Sequence, residues 1–332
     1  MNVAEIQNFF KSIEKKKILV IGDVMIDAYI WGRVERISPE APVPIVTCTK
    51  QEHRLGGAAN VALNLQSLGC IPILSGIIGN DDNGTIFLKL LQNLRLANDG
   101  IYIVRDRKTT IKTRIISGNQ QLIRIDDETS TPLIGKNEQD YIKHLNKILE
   151  STNFDAIIFQ DYDKGSITPN IIDKVVQWSE EKKIPVLVDP KKRNFNNYHN
   201  VTLFKPNFKE FCEGISRELK KEDINSIVQH SAAFIKEKKI KYLLVTLSEK
   251  GVLIVDDKNS HYIPAHVRDI ADVSGAGDTV ISVASLCLAY GMDSYMVAAI
   301  SNLAGGIVCE KVGVVPITKE MLARELEIKE IF

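Results

Sequence analysis

The chain has 332 residues, enough for one large α/β domain or for such a domain with a small accessory piece. Apolar residues make up 44% and charged residues 25%, and 42 basic residues balance 42 acidic ones, so the formal net charge is zero. That balance speaks against a generic nucleic-acid or membrane-surface binder. The five cysteines, Cys48, Cys70, Cys212, Cys287 and Cys309, form no CxxC pair, which argues against a disulfide framework or a structural zinc site. A reducing, cytoplasmic setting is expected.

In chain order, residues 1–17 read as a short amphipathic helix. They lack the apolar core and small-residue cleavage site of a signal peptide. Residues 18–21 form an aliphatic run that stops at Gly22-Asp23. Residues 33–50 carry Pro39, Pro42 and Pro44 and read as extended chain. Residues 58–68 have helical spacing. Residues 108–128 alternate in the manner of strands around a Gly118-Asn119 turn. Helical patterns over 138–149, 171–182 and 224–236 then alternate with aliphatic runs over 156–159, 186–188 and 243–245. The apolar stretch 280–290 is too short to span a bilayer.

Short unalternated runs are the mark of strands buried on both faces, and their alternation with helices predicts a mostly parallel sheet between two helical layers. Residues 1–332 are expected to form one domain. Segments 33–50 and 108–128 break the rhythm and are expected to form a small β lid standing off it. In open parallel sheets ligands bind at the carboxyl ends of the strands, so the polar residues just after the runs are candidates: Asp23, Asp27, Asp161, Asp189, Thr246 and Ser248.

The strongest motif is Asp272-Val-Ser-Gly-Ala-Gly-Asp278-Thr279, which runs into the apolar stretch. Small residues at Gly275, Ala276 and Gly277 let backbone N–H groups approach an anion, and the helix that follows points its positive end at the same place. Asp278 then stands at the helix start, where ionisation is expected to be favoured. Phosphoryl transfer needs these parts: donors for the moving charge and a base for the attacking hydroxyl. A glycine turn followed by an Asp helix cap would read the same way. A second motif, Gly56-Gly57-Ala58-Ala59-Asn60, also precedes a helix; it offers close backbone approach and an amide for sugar hydroxyls, or simply a tight turn. The six histidines show no metal-ligand spacing. Neither a Walker A motif nor GxGxxG occurs.

Residues 56–62 with Gly69 and Gly79 resemble the first signature of the PfkB carbohydrate kinases, and residues 272–278 resemble the second. Val283 departs from the pattern, standing where that family usually has Gly or Ala. The resemblance implies a ribokinase-like α/β/α fold. Gly22-Asp-Val-Met-Ile-Asp27, Arg36-Ile-Ser-Pro-Glu-Ala-Pro-Val-Pro44, Gly118-Asn-Gln-Gln-Leu-Ile-Arg124 and Lys205-Pro-Asn-Phe-Lys-Glu210 are similar to its heptose-phosphate kinase branch. Enzymes of that branch phosphorylate the anomeric oxygen of D-glycero-β-D-manno-heptose 7-phosphate on the route to ADP-heptose and lipopolysaccharide. Some fuse the kinase to a nucleotidyltransferase with an HxGH motif. None occurs here, so a stand-alone kinase working with a separate adenylyltransferase is expected.

What the resemblance implies for the site is specific. Asp278 resembles the base, and Gly275, Ala276 and Gly277 the anion hole. Asn207 and Glu210 resemble the element that orders Mg²⁺, often through water, and the phosphates of ATP. Thr246, Ser248, Gly251 and Asn302 would hold the nucleotide. Asp23, Asp27, Gly56, Gly57 and Asn60 would hold the sugar. Cations for its phosphate would come from Lys112, Lys191 and their neighbours Arg114, Arg124, Lys164, Lys192 and Arg193. K⁺ beside the backbone carbonyls of Asp272 and Ser274, and a homodimer through the lid, are further implications. Another PfkB-type sugar kinase, or a non-catalytic sugar-binding relative, are the alternative readings.

Overall fold

The computed structural model describes residues 2–118, 120–266 and 268–329. The turn expected at Gly118-Asn119 falls in part on Asn119, outside the described residues. In chain order the elements are α1 (Val3–Ile13), β1 (Lys17–Gly22), β2 (Val24–Ile37), β3 (Pro44–Gly57), α2 (Ala58–Ser67), β4 (Ile71–Gly79), α3 (Asp82–Asn93), β5 (Ile101–Val104), β6 (Ile111–Ser117), β7 (Gln120–Asp127) and α4 (Gly135–Ser151). Then follow β8 (Ala156–Gln160), α5 (Pro169–Lys182), β9 (Val186–Asp189), β10 (Leu203–Phe204), α6 (Phe208–Gly214), α7 (Ile224–Lys238), β11 (Tyr242–Thr246), β12 (Val252–Val255), β13 (Ser260–Ile263), α8 (Ala276–Tyr290), α9 (Ser294–Cys309) and α10 (Lys319–Lys329).

Local chemistry accounts for the helix starts. Asn2 and Glu5 open α1 with a reciprocal capping box, at 2.9 and 2.8 Å. Ile6, Phe9, Phe10 and Ile13 then recur at helical spacing and are all buried. Truncating Phe9 to Ala would cost about 3–5 kcal/mol, the usual range for a buried phenyl ring. Thr168 caps α5 ahead of Pro169, which opens a first turn where its missing N–H is not needed.

The main sheet has nine strands in the order β13-β12-β11-β10-β9-β8-β1-β4-β5. From β11 through β10, β9, β8, β1 and β4 to β5 every pairing is parallel; only the β11–β12 and β12–β13 pairings are antiparallel. Ile18 and Val20 face one core with α1, α2, α8, α9 and α10; Leu19 and Ile21 face the other with α4, α5 and α7. This is the reason the run carries no polar alternation: it has no wet side. The three-layer α/β/α architecture is the one its strand pattern predicts.

β1 lies between β4 and β8, so the chain leaves it first toward one edge and later toward the other. Such a switch opens a crevice beyond the strand ends. Gly22 and Gln160 are in register there, and Asp189 ends the next strand.

A second sheet has the order β3-β2-β6-β7. Its strands begin well before residue 33 and continue past 50, because the inner half of β2 is apolar enough to be buried against the main core. Bulges at Trp31/Gly32 and Val34/Arg36 interrupt the β2–β3 pairing. Twist from such bulges carries a ribbon away from its base, and the outer halves are exposed on both faces.

Candidate active site

Both halves of the crevice meet at the first turn of α8. Gly275 is its N-cap with φ 81°, and a Cβ there would approach the Asn60 amide nitrogen to 3.0 Å. Asp278 follows in the first turn and is only 4% exposed. Its Oδ2 accepts from Asn60 Nδ2 at 2.7 Å. Its Oδ1 accepts from Gln160 Nε2 at 3.0 Å and from the Tyr162 hydroxyl at 2.7 Å. Burial pushes the carboxyl up to about 6; the bonds from Asn60 and Tyr162 oppose this only in part, and nearby Asp189 adds to it. This corrects the expectation that the helix start favours ionisation: for a carboxylate this buried, lost hydration outweighs the helix dipole.

Asp189 and Lys205 form a buried pair at 3.0 Å, their side chains 6% and 3% exposed. Burial works against the Asp189 charge, yet Lys205 and Lys191 hold its carboxyl below the usual range. Lys205 Nζ lies 3.6 Å from where a Cβ of Gly277 would stand, so a buried cation faces the glycine turn. Ala276 N–H is used by the Val273 carbonyl at 3.3 Å, whereas the N–H groups of Gly277 and Asp278 have no acceptor among the described residues. Of the three residues expected to make the anion hole, Gly275 and Gly277 thus have N–H groups with no acceptor among the described residues, and Gly277 also has Lys205 beside it.

Asn207 and Glu210 build a capping box on α6: Glu210 N–H donates to Asn207 Oδ1 at 2.9 Å, and Asn207 N–H donates to Glu210 Oε2 at 2.8 Å. Lys191 Nζ donates to the other Glu210 oxygen. No cluster of three or more acidic, His or Cys side chains able to hold a metal occurs among the described residues. A single engaged carboxylate suits Mg²⁺, which keeps most of its water and takes phosphate oxygens.

Thr246, Ser248, Gly251, Asn302, Ala276 and Gly277 line one cleft of about 590 Å³. Gly305, Gly306 and Cys309 line it too. Asn302 Nδ2 donates to the Pro264 carbonyl at 2.9 Å, which holds its side chain in place.

The expected sugar ligands divide. A Cβ on Gly56 would lie 2.2 Å from Asp27 Oδ2, and one on Gly57 would lie 2.3 Å from the Asp23 carbonyl oxygen, so both glycines are needed where strand meets helix. Asp27 accepts from Arg114 at 2.5 Å. Asp23 is a correction: it is spent on the loop after β8. It accepts from the N–H groups of Tyr162, Lys164 and Ser166 at 2.8, 2.9 and 3.0 Å, and from Ser166 Oγ at 2.5 Å. Asn60 is bonded to Asp278 rather than held open. Lys112 stands on the second sheet, beside Asp27 in register, with Asp126 and Glu128 at 3.0 Å each. Lys164 reaches the same Glu128 at 2.6 Å. Lys191 pairs instead with Glu210, so Lys112 and Lys191 share no carboxylate. Arg124 is tied to Asp126 on the exposed rim, and Arg193 to the Ser130 carbonyl at 2.7 Å.

Sequence reasoning missed Gln160, Tyr162 and Lys205 as site residues. Their signal was position: Gln160 is the last residue of β8, Tyr162 stands two residues past it, and Lys205 one past β10, where it also opens the Lys205–Glu210 segment.

Residues 15–320 match the pfkB family carbohydrate kinases. The chain belongs to that family. It is thus a phosphotransferase by descent. It is 38% identical over 327 residues to the bifunctional protein HldE of Citrifermentans bemidjiense, covering 98% of this chain and 66% of that protein. The HldE of Helicobacter hepaticus is also 38% identical, over 90% of this chain and 61% of its own length. The chain therefore spans under two thirds of these relatives. Escherichia coli phosphofructokinase-2 in complex with fructose-6-phosphate superposes with a TM-score of 0.73 at 18% identity, covering 94% of this chain and 97% of that one. Arabidopsis thaliana ribokinase complexed with ribose and ATP gives 0.71 at 15%, covering 95% and 99%. The fold of this pfkB kinase is thus ribokinase-like, and no helix among its described residues is long and apolar enough to cross a membrane.

Proposed function

We propose that this pfkB kinase transfers the γ-phosphoryl group of ATP to the anomeric hydroxyl of D-glycero-β-D-manno-heptose 7-phosphate. The observation that carries the phosphoryl-transfer reading is the position of Asp278: buried, beside a first-turn N–H with no acceptor among the described residues, at the end of the glycine turn that also lines the 590 Å³ cleft. The heptose reading rests on the segments around residues 36–44 and 118–124.

In this reading Asp278 takes the proton from the sugar hydroxyl as its oxygen forms a bond to the γ-phosphorus and ADP leaves. The N–H of Gly277, the positive end of α8 and Lys205 offset charge on the phosphoryl group. Mg²⁺, when bound with the nucleotide, supplies further charge neutralisation; Asn207 and Glu210 would hold its waters. Thr246, Ser248, Gly251 and Asn302 contain the nucleotide. Asp27, Gly56, Gly57 and Asn60 face the sugar. Lys112 and Lys164, now sharing Glu128, are the cations best placed for its phosphate. K⁺ at the carbonyls of Asp272 and Ser274 fits a loop already ordered by the Asp272 carboxylate, which accepts from Ser274 and Gly313 N–H at 2.9 Å each. The second sheet closes as a lid that excludes water and pairs two subunits. The product would pass to an adenylyltransferase.

The test is ADP release with ATP·Mg²⁺ against heptose 7-phosphate, fructose 6-phosphate, fructose, ribose and no sugar. Selective turnover of heptose 7-phosphate is the expected result. Turnover of another sugar instead would keep the kinase and overturn the substrate; turnover of none would favour a non-catalytic sugar binder. Asp278→Asn should keep nucleotide binding and lose turnover by about 10²–10⁴-fold, the usual worth of a positioned base; near-normal turnover would remove Asp278 from that role.

A further inference from the structure

We infer that Tyr162 is a positioning residue: its hydroxyl, with the Gln160 amide, occupies Oδ1 of Asp278 and leaves Oδ2 as the one oxygen that can take the substrate proton. The inference rests on the proposed role of Asp278 as base and names the atom through which it acts.

A carboxylate offers about four lone-pair sites, two on each oxygen. Oδ1 already accepts two bonds, from Tyr162 Oη at 2.7 Å and Gln160 Nε2 at 3.0 Å. Oδ2 accepts one, from Asn60 Nδ2 at 2.7 Å, and keeps one lone pair. Direction is not ambiguous for an ionised carboxylate, which can only accept; burial and the Asp278 charge also hold the Tyr162 phenol well above its ordinary range, so it stays a neutral donor. Gln160 cannot swing away cheaply, because the same amide nitrogen donates to Asp189 Oδ2 at 3.1 Å.

The loop that presents Tyr162 is built to hold still. Asp23 clamps three of its N–H groups and the Ser166 hydroxyl. Asp161 takes the Asp163 N–H at 2.8 Å and is itself held by Asn194 at 2.9 Å and Tyr198 at 3.2 Å. Lys191 Nζ lies 5.5 Å above the Tyr162 ring. Two buried carboxylates thus fix a loop whose tyrosine fixes a third. Filling both lone pairs of Oδ1 leaves a single acceptor site, on Oδ2, and so fixes the direction from which a proton can be taken.

The charged and titratable groups around Asp278 are Tyr162 after β8, Asp189 at the end of β9, and Lys205 after β10; Lys191 also lies close enough to respond to its charge. Asn60 from α2 and Gln160 from β8 are neutral. Asp278 must be ionised to accept a proton, so kcat/KM falls as pH drops through its value. The Tyr162 bond favours the ionised form. Removing it should therefore move the acid limb to higher pH.

The experiment is the pH profile of kcat and kcat/KM for wild type and Tyr162→Phe, with nucleotide binding measured separately. The expected result is a kcat about tenfold or more lower, an ATP affinity little changed, and an acid limb displaced upward by about one pH unit, the worth of one hydrogen bond to a charged group. Should Tyr162→Phe fold poorly, site-specific fluorotyrosines at 162 keep the shape. A more acidic phenol is a stronger donor, and the limb should move progressively downward along that series. A limb that stays in place in both experiments overturns the proposal. Failure of the parent reading looks different: Asp278→Asn would retain near-normal turnover, and this proposal would fall with it.

Discussion

Keeping Asp278 ionised costs the fold free energy, since burial raises its carboxyl to about 6. Between about pH 4 and 6 the native state holds a proton there that the unfolded state has lost. Stability from this group is therefore present at low pH and declines as pH rises through 6. Asp161 works in the same direction, raised by burial and by the neighbouring Asp23 charge. Asp278→Asn should then be more stable than wild type at pH 7 by on the order of 1 kcal/mol, and the gap should close toward pH 4. Urea unfolding of both proteins at pH 4.5 and pH 7 measures this; a gap independent of pH would show that the ionised carboxylate is not the source.

At the scale of elements, the N-cap of α8 separates backbone strain from site geometry. Gly275 has φ 81° and the Asn60 amide nitrogen 3.0 Å from a would-be Cβ; Gly291, at the other end of the helix, has φ 93° and open space. Alanine at either position should cost about 1–2 kcal/mol from the left-handed conformation. Only Gly275→Ala should also lose turnover, because its methyl group presses on the amide that holds Asp278 Oδ2. Equal activity in the two variants would disconnect Asn60 from the chemistry. The reciprocal box between Asn207 and Glu210 shows the opposite economy: residues proposed to order a hydrated metal first serve to start a helix.

For the whole molecule, the second sheet is the part with the least cover. Ile123 and Ile125, alternate residues on one face of β7, are 53% and 50% exposed, and Ile37 and Val43 on β2 and the turn beyond it are 59% and 51% exposed. Apolar area of this kind on a sheet that projects from the core fits the proposed clasp between two subunits. Replacing Ile123 and Ile125 together with Glu should convert a dimer to monomers in analytical ultracentrifugation and lower turnover by loosening the lid. An unchanged sedimentation profile would reject the clasp.

The sequence by itself determined the α/β class, the helix at 58–68, the buried strands and the glycine turn before Asp278, because burial on both faces and helix-start chemistry leave marks within a few neighbouring residues. Its two signatures also carried the family. Only the tertiary structure decided how the groups are shared out. Asp23 and Asp278 both read as acids near a glycine motif, yet one is consumed by three backbone N–H groups and the other keeps a free lone pair. Gln160, Tyr162 and Lys205 became site residues only when β1, β8, β9 and β10 lay side by side. The reversal of the Asp278 ionisation preference has the same origin: a helix dipole is local and legible in sequence, whereas desolvation depends on everything the fold brings around the carboxylate.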